Sequence, residues 1–294
     1  MRITNNLSLM RSLGTVRTGM SDVAAAQKRV STGQRIDRPS DDPATSARVL
    51  ATDSDLRALT QYGRNISAAR ERLSIEETAL DQVSGILERA RELAYGQAGA
   101  TANAQTRNTT ADEVDELRLQ VIQIANTQVG DANVFGGLYP DRAPLDAVTG
   151  AEDPAAPTRQ APAYEVSAGS LMQGAHGAGT LFVDTDVLAA LDALSVALRS
   201  NDAAGVGATT NRLDDAHTNV QGYIGEVGAR QVRLDVAEAN IESLDLNLRN
   251  LRSDLMDVEM EEAVTVLVNR QASYQAALLS TSRILDVTLT NYLR

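Results

Sequence analysis

The chain has 294 residues and a formal net charge of -12, and it contains neither Cys nor Trp. Aromatic residues make up only 3% of it, so Leu, Val, Ile and Ala must form the core, a composition that favours helix-on-helix packing. Without Cys there are no disulfides or thiolate metal sites, and the acidic balance argues against nucleic acid as a partner. We also expect no membrane partner, because no apolar run is long enough to span a bilayer, and the N-terminus lacks the pattern of a cleaved secretory signal.

The first predicted element is an amphipathic helix that ends at Gly33, a residue that readily adopts the left-handed conformation of a helix cap. Its apolar residues alternate at intervals of four and three positions, which is the heptad seam of a coiled coil. The seam, which we expect to serve in assembly, consists of Leu9, Leu13, Val16, Met20 and Val23.

The stretch STGQRIDRPSDDP, residues 31–43, raises the question of whether its carboxylates form a catalytic or metal site or only turn the chain. Asp42 stands where a helix N-cap belongs, and Pro43 suits the first helical position because it has no amide hydrogen to lose. We therefore predict a helix corner formed by Gly33, Ser40, Asp41, Asp42 and Pro43. A carboxylate site built on the two aspartates is the alternative.

The second predicted helix covers residues 43–98 and would be about 84 Å long at 1.5 Å per residue. Its core residues recur strictly every seven positions. They are Leu59, Ile66, Leu73, Leu80 and Leu87. After a loop of small residues, a third helix is predicted to begin at Thr110, with Glu113 in capping-box spacing.

Residues 131–199 contain glycines, prolines and short β-leaning pieces, which predict a small irregular or partly β insertion that returns to helix near residue 190. From about residue 207 to the end the helical pattern resumes. Its first heptad row is Leu234, Ile241, Leu248 and Leu255. Beyond Glu262 the apolar face shifts, and the assembly seam of the last helix is Val264, Leu267, Tyr274, Leu278 and Leu285.

The predicted fold class is mainly α, a long antiparallel helical rod or coiled-coil bundle built from the N- and C-terminal segments. The pattern predicts three parts. Residues 1–42 with 255–294 form the terminal helices of an inner tube, residues 43–130 with 200–254 form the rod, and residues 131–199 form an outer insertion.

The sequence contains no combination of residues that predicts catalysis, so we expect no enzyme activity, cofactor or metal. His176 and His217 lack ligand spacing to each other, and there is neither a phosphate-binding GxxxxGK[ST] loop nor a GxSxG nucleophile elbow. Five acids fall within residues 254–262, whereas Arg2, Arg11 and Arg17 are the only charged residues up to Ser21. These clusters are either solvated helix faces or surfaces that meet in an assembly.

Both ends of the chain resemble the bacterial flagellin family. The motifs that carry the resemblance are STGQRI (31–36), SDDP (40–43), RELA (91–94), IANTQVGDANVFGG (124–137), VGARQVRL (227–234) and DVEMEEAVTVLVNRQASYQAAL (257–278). The Ser-Asp-Asp-Pro corner and the Phe-x-Gly of Phe135–Gly137 resemble the hook–filament junction branch, the third hook-associated proteins. Filament flagellins usually carry Lys-Asp-Asp-Ala-Ala-Gly and Phe-Asn-Gly there. The middle segment is shorter than in many junction proteins.

This resemblance implies a structural subunit of the flagellum that self-assembles through its paired terminal helices and joins the hook side to the filament. The implied partners are further copies of the chain, the first hook-associated protein, flagellin and an export chaperone. The implied location is the extracellular flagellum, reached through the flagellar type III system without a cleaved signal. A filament flagellin is the first alternative, and a cytoplasmic coiled-coil scaffold is the second.

Overall fold

The computed structural model describes residues 2–36, 38–99, 103–154 and 156–292, without the side chains of residues 2–6, 8–9 and 284–292. Its described part confirms the prediction of a mainly α protein. The helices are α1 Arg2–Thr32, α2 Pro43–Ala98, α3 Ala104–Ala125, α4 Val187–Arg199, α5 Ala203–Met256 and α6 Met260–Tyr292.

Two small antiparallel sheets are present, one at the start of the predicted insertion and one within it. In the first, β1 (Gln128–Val129) pairs with β2 (Ala132–Asn133). Gly130 turns the chain between these strands with a φ of 61°, a value that glycine adopts without strain. In the second, β3 (Ala163–Ser167) pairs with β4 (Ser170–Gln173), and a π-helical turn at Gly179–Val183 leads on to α4.

The chain divides into two compact units. The terminal unit contains residues 1–58 and 244–294, and the central unit contains residues 59–243. Helices α2 and α5 each contribute to both units, and the insertion belongs to the central one. The division into three parts remains a prediction.

In the central unit, α2 and α5 run antiparallel and are linked through polar side chains. The amide of Gln231 donates to Glu77 over 2.8 Å. Two turns further along α2, Ser84 Oγ lies 3.1 Å from His217 Nε2. The apolar core beside these links is closed by the two phenylalanines of the chain, Phe135 and Phe182, which are fully buried and packed edge to face with centroids 5.5 Å apart. A core of aliphatic side chains thus receives its two fully buried aromatic rings from the insertion.

Two predicted helix boundaries were wrong. Helix α3 begins at Ala104, not at Thr110, because Asn103 caps it: its Oδ1 accepts from the amide of Thr106 at 2.8 Å, and the Thr106 hydroxyl completes a capping box. The last helical stretch is also not continuous, since α5 ends at Met256 and α6 starts at Met260.

In the terminal unit, α1 packs along α6. The ring of Tyr274 lies over Gly19, where an added Cβ would come within 3.2 Å of the ring. Asp22 accepts a hydrogen bond from Arg270 at 3.2 Å. A glycine at this position therefore lets the two helices approach closely.

Candidate assembly surfaces

The predicted corner is half of a joint made by two segments of the chain. The amide of Arg35 donates to the carbonyl of Met256 at 2.7 Å, and the amide of Val258 donates to the carbonyl of Gly33 at 2.9 Å. These bonds form a short antiparallel bridge that links the turn between α1 and α2 to the break between α5 and α6. Gly33 has a φ of 68°, which permits α1 to end where the bridge begins.

The two aspartates of the corner are engaged in turning the chain. Asp41 accepts from the backbone amide of Arg38 at 3.0 Å and closes a turn that includes Ser40. Asp42 accepts from the amide of Thr45 at 3.0 Å and from its hydroxyl at 2.6 Å, directly before Pro43 begins α2. The hydrogen bonds from Thr45 hold the pKa of Asp42 below its usual value. Both carboxylates therefore have local structural partners.

The predicted assembly seam is only partly covered within one chain. In α1, Leu13 is 50% exposed and Met20 is 64% exposed, and in α6 Leu278 is 42% exposed. Val264 is also exposed, and the remaining described seam residues are half-buried. These are Val16, Val23, Leu267 and Tyr274. The side chains of Leu9 and Leu285 lie outside the part that the structure describes.

The predicted rod core is buried along α2 but not along all of α5. Leu59, Ile66, Leu73, Leu80, Leu87 and Leu234 are buried. Ile241, Leu248 and Leu255 are only half-buried, and the neighbouring Leu244 and Leu251 are exposed. The regular heptad row of α5 thus continues into the terminal unit, where the described residues cover it only partly.

A buried polar cluster, missed at the level of sequence, holds the insertion against the helices of the central unit. Glu76 of α2 is fully buried, and its carboxylate accepts from the backbone amide of His176 at 3.1 Å and lies 2.6 Å from its Nδ1. Arg230 of α5 lies 2.8 Å from His176 Nε2. Because a guanidinium only donates, Nε2 accepts and Nδ1 carries the proton. His176 is therefore hydrogen-bonded through both of its ring nitrogens.

Arg230 also orders its surroundings. It donates to the carbonyl of Gly174 at 2.7 Å and to Glu226 at 2.6 Å. Burial would raise the pKa of Glu226, but the hydrogen bond and charge of Arg230 outweigh burial and lower it. The nearby Gly177 has no room for a side chain, since an added Cβ would overlap the carbonyl oxygen of Thr158. The glycine-rich loop around His176 was the only sequence signal for this cluster.

A second buried cation, Arg107, lies among neutral acceptors at the far end of α2. It donates to the carbonyls of Gln97 and Gly99, at 3.2 and 3.1 Å, and contacts the Asn201 side chain. Carbonyls at the end of a helix have no partner within the helix, so this side chain serves as their cap. No local motif predicts this role of Arg107, because its side-chain partner Asn201 is 94 positions away.

The described residues contain neither a cluster of metal ligands nor a membrane-spanning helix. Nowhere in them do three His, Cys, Asp or Glu side chains come together as metal ligands would. None of the helices described there is long and apolar enough to cross a membrane. What stands out instead is the exposed apolar surface of the terminal unit and the joint at its corner.

The same segments match known family models. The model of the bacterial flagellin N-terminal helical region matches residues 3–138, and that of the C-terminal helical region matches residues 210–293. The chain belongs to the bacterial flagellin family. The two matches include the corner, the paired helices α1 and α6, and the halves of α2 and α5 that form the central core.

Individual members of the flagellin family are similar over nearly the whole chain. Flagellar hook-associated protein 3 of Salmonella typhimurium is 24% identical over 94% of this chain and 95% of its own length. Flagellin of Bacillus subtilis is 25% identical over 94% of each chain. A solved structure from Vibrio parahaemolyticus, assigned as a flagellar hook-associated protein, is 27% identical, with a TM-score of 0.65 over 74% of this chain and all of its own.

Proposed function

We propose that this flagellin-family chain is a structural subunit of the bacterial flagellum that acts at the junction between the hook and the filament. The observation that carries the proposal is the likeness to the Vibrio parahaemolyticus hook-associated protein, which is matched over its full length. The Ser40–Pro43 corner supports it, since this motif resembles the junction branch rather than the filament flagellins.

The exposed seams of the terminal unit explain how such a subunit would assemble. Apolar side chains such as Leu13, Met20 and Leu278 lose stabilisation while they face water, and further copies of the chain would cover them. Fully burying a side chain of this size contributes about 1.5–3 kcal/mol, so burial of many such side chains along the seam would offset the entropy lost on association. The subunit therefore supplies packing surfaces and not a reactive centre.

The proposed partners follow from the position at a junction. Copies of this chain would form a ring or tube, with the first hook-associated protein on one side and flagellin on the other. The subunit would leave the cell through the flagellar type III system without a cleaved signal, and an export chaperone would hold its C-terminal segment beforehand. A chain without disulfides suits passage in an unfolded state.

Deletion of the gene in its own bacterium tests this function. We expect bare hooks by electron microscopy and abundant unpolymerised flagellin in the medium, because filament growth lacks its starting surface. The likeness to the flagellin of Bacillus subtilis supports a filament subunit as the second candidate. In that case the filaments would be shortened or absent, and this chain would be the flagellin missing from the medium. Normal flagella would contradict both functions.

A further inference from the structure

The joint in the terminal unit carries a concentrated positive surface, although the chain as a whole has a net charge of -12. A cleft of about 360 Å³ lies between the end of α1 and the corner, and four basic side chains line it together with Asp41. We call it the basic cleft. Its basic residues are Lys28, which is the only lysine of the chain, Arg29, Arg35 and Arg38.

The other half of the joint carries the opposite charge. Residues 254–262 contain five acids and no basic residue, and we call this stretch the acidic segment. The side chains of Asp254, Glu259, Glu261 and Glu262 are exposed, and none of them forms an ion pair with a residue that the structure describes. The backbone bridge between residues 33–35 and 256–258 fixes the two surfaces on one joint. In this arrangement the four carboxylates find no described cation in their own chain.

Helix dipoles explain only part of this charge distribution. Glu261 and Glu262 lie in the first turn of α6, where a negative charge is favourable, and Arg29 lies in the last turn of α1, where a positive charge is favourable. Asp254 lies in the last turn of α5, and this turn contains no basic residue. A negative charge is unfavourable at a helix C-terminus, so local structure disfavours Asp254. A cation from outside the helix would offset this unfavourable local interaction.

We propose that the acidic segment of one copy of this chain binds in the basic cleft of the next copy. The contact is heterologous, since one face of the joint meets the other face of its neighbour, and repetition of such a contact produces a ring or a helical tube. Carboxylates that meet guanidinium groups in a recessed cleft are less screened by salt than freely exposed pairs. The inference rests on the proposed self-assembling function and adds the contact that sets the direction of assembly.

Charge exchange between Arg29 and Asp254 tests the pairing in the deletion strain. We expect Arg29→Glu and Asp254→Arg each to reduce the fraction of hooks that bear filaments roughly tenfold, because like charges then face each other. The double variant Arg29→Glu with Asp254→Arg should restore it. Asp254→Arg is the more informative single change. A positive charge at the C-terminus of α5 is locally favourable, so a loss of filaments in this variant cannot come from a destabilised helix.

Arg57→Glu is the matched control, because Arg57 is an exposed residue of α2 outside the cleft and outside both charge clusters, and we expect normal filament formation from it. Normal filament formation by both single variants would overturn the inference, and so would failure of the double variant while circular dichroism shows it folded. Rescue of the deletion by the wild-type gene, tested in parallel, reports on the proposed function separately. If wild type and every charge variant rescue equally, only the inference fails.

Disulfide trapping tests whether the occupant of the cleft is a second copy. The chain has no cysteine, so co-expressed Arg29→Cys and Asp254→Cys chains of different tag size can join only through the introduced residues. Oxidation of isolated flagella should yield a dimer that contains one chain of each kind. A cross-link from Arg29→Cys to another flagellar protein would overturn the commitment to a second copy. A yield from Arg57→Cys equal to that from Arg29→Cys would overturn the assignment of the contact to the basic cleft.

Discussion

The central and terminal units contain the same heptad spacing but cover their apolar residues to different extents. In the central unit, Leu73, Leu80 and Leu87 are fully buried under α5 and the insertion. In the terminal unit, Leu13, Met20 and Leu278 remain exposed although α1 and α6 pack against each other. A two-helix pair has too few neighbours to surround an apolar seam, whereas the central unit adds α3, α4 and the strands.

This difference indicates a division of labour within one chain. The central unit closes its own core and fixes its loops with buried polar groups, so we expect it to fold without a partner. The terminal unit retains apolar surface and opposite charges at its joint, so we expect its stability to increase when neighbouring copies cover these surfaces. Subunits built in this way remain separable until they meet an assembly that covers the terminal surfaces.

Terminal truncation should produce the largest effect. Removal of α1, or of residues 260–294, takes away half of the helix pair, and we expect complete loss of filament formation. The central unit should unfold at an unchanged temperature, because its core lies within residues 59–243. The measurements are electron microscopy and thermal unfolding by circular dichroism. Assembly by either truncated chain would contradict the division of labour.

Replacing a leucine by alanine should reduce the stability of the free subunit in the central unit and impair assembly in the terminal unit. Leu80→Ala removes a fully buried side chain and should lower the free energy of unfolding of the free subunit by about 3 kcal/mol. Leu278→Ala should lower it by less than about 0.5 kcal/mol, since Leu278 is exposed in the free subunit, but should impair assembly. Urea denaturation and filament counts separate the two effects. Equal destabilisation of the free subunit would show that the terminal seam is already covered.

The buried cluster around His176 should contribute less than the apolar core. In the wild type, the carboxylate of Glu76 faces two groups of His176, the backbone amide and Nδ1. Glu76→Gln places an NH₂ group opposite one of these donors, so one buried hydrogen bond is lost. We expect the free energy of unfolding to fall by about 2 kcal/mol. Glu71→Gln, at an exposed position of the same helix, is the control and should change it by less than about 0.5 kcal/mol. Similar values for the two variants in urea denaturation would refute a structural role of the cluster.

Acidification should produce the smallest effect, at the corner. Hydrogen bonds from Thr45 lower the pKa of Asp42 in the folded chain, so its stabilising contribution is complete above the unfolded pKa and is lost as pH falls through the folded pKa. Asp42→Asn retains a cap without a charge and should reduce the acid sensitivity of the terminal unit slightly. Asp55→Asn is the control on the exposed face of α2. Urea denaturation across the acid range should show a flatter pH profile for Asp42→Asn alone.

Features that depend on spacing and on local turn chemistry could be predicted from the sequence. The seven-residue interval of Leu59 to Leu87 predicted a buried row, and Asp42-Pro43 predicted the start of α2. The start of α3 was wrong because Thr110 and Glu113 offered a plausible capping box, whereas Asn103 with Thr106 forms the actual one. Both pairs have capping-box spacing in the sequence, and in the structure the earlier pair begins the helix.

Contacts between distant segments could not be predicted. Nothing in the sequence around Gly33 indicates hydrogen bonds with Met256 and Val258, since heptad patterns set which face is buried but not which loops meet. The same holds for Glu76 with His176, which are 100 positions apart. The half-buried state of Leu248 and Leu255 was missed for a related reason, because the pattern records apolar residues but not the number of neighbours that cover them.

Hydrogen exchange of the free subunit and of isolated flagella, followed segment by segment, tests the central claim most directly. In the free subunit, the amides of α1 and α6 should exchange much faster than those of α2 between Leu59 and Ala98, and assembly should slow the terminal helices while leaving the central ones unchanged. Equal and strong protection of α1 and α6 in the free subunit would contradict the account. The terminal surfaces would then need no neighbouring copy.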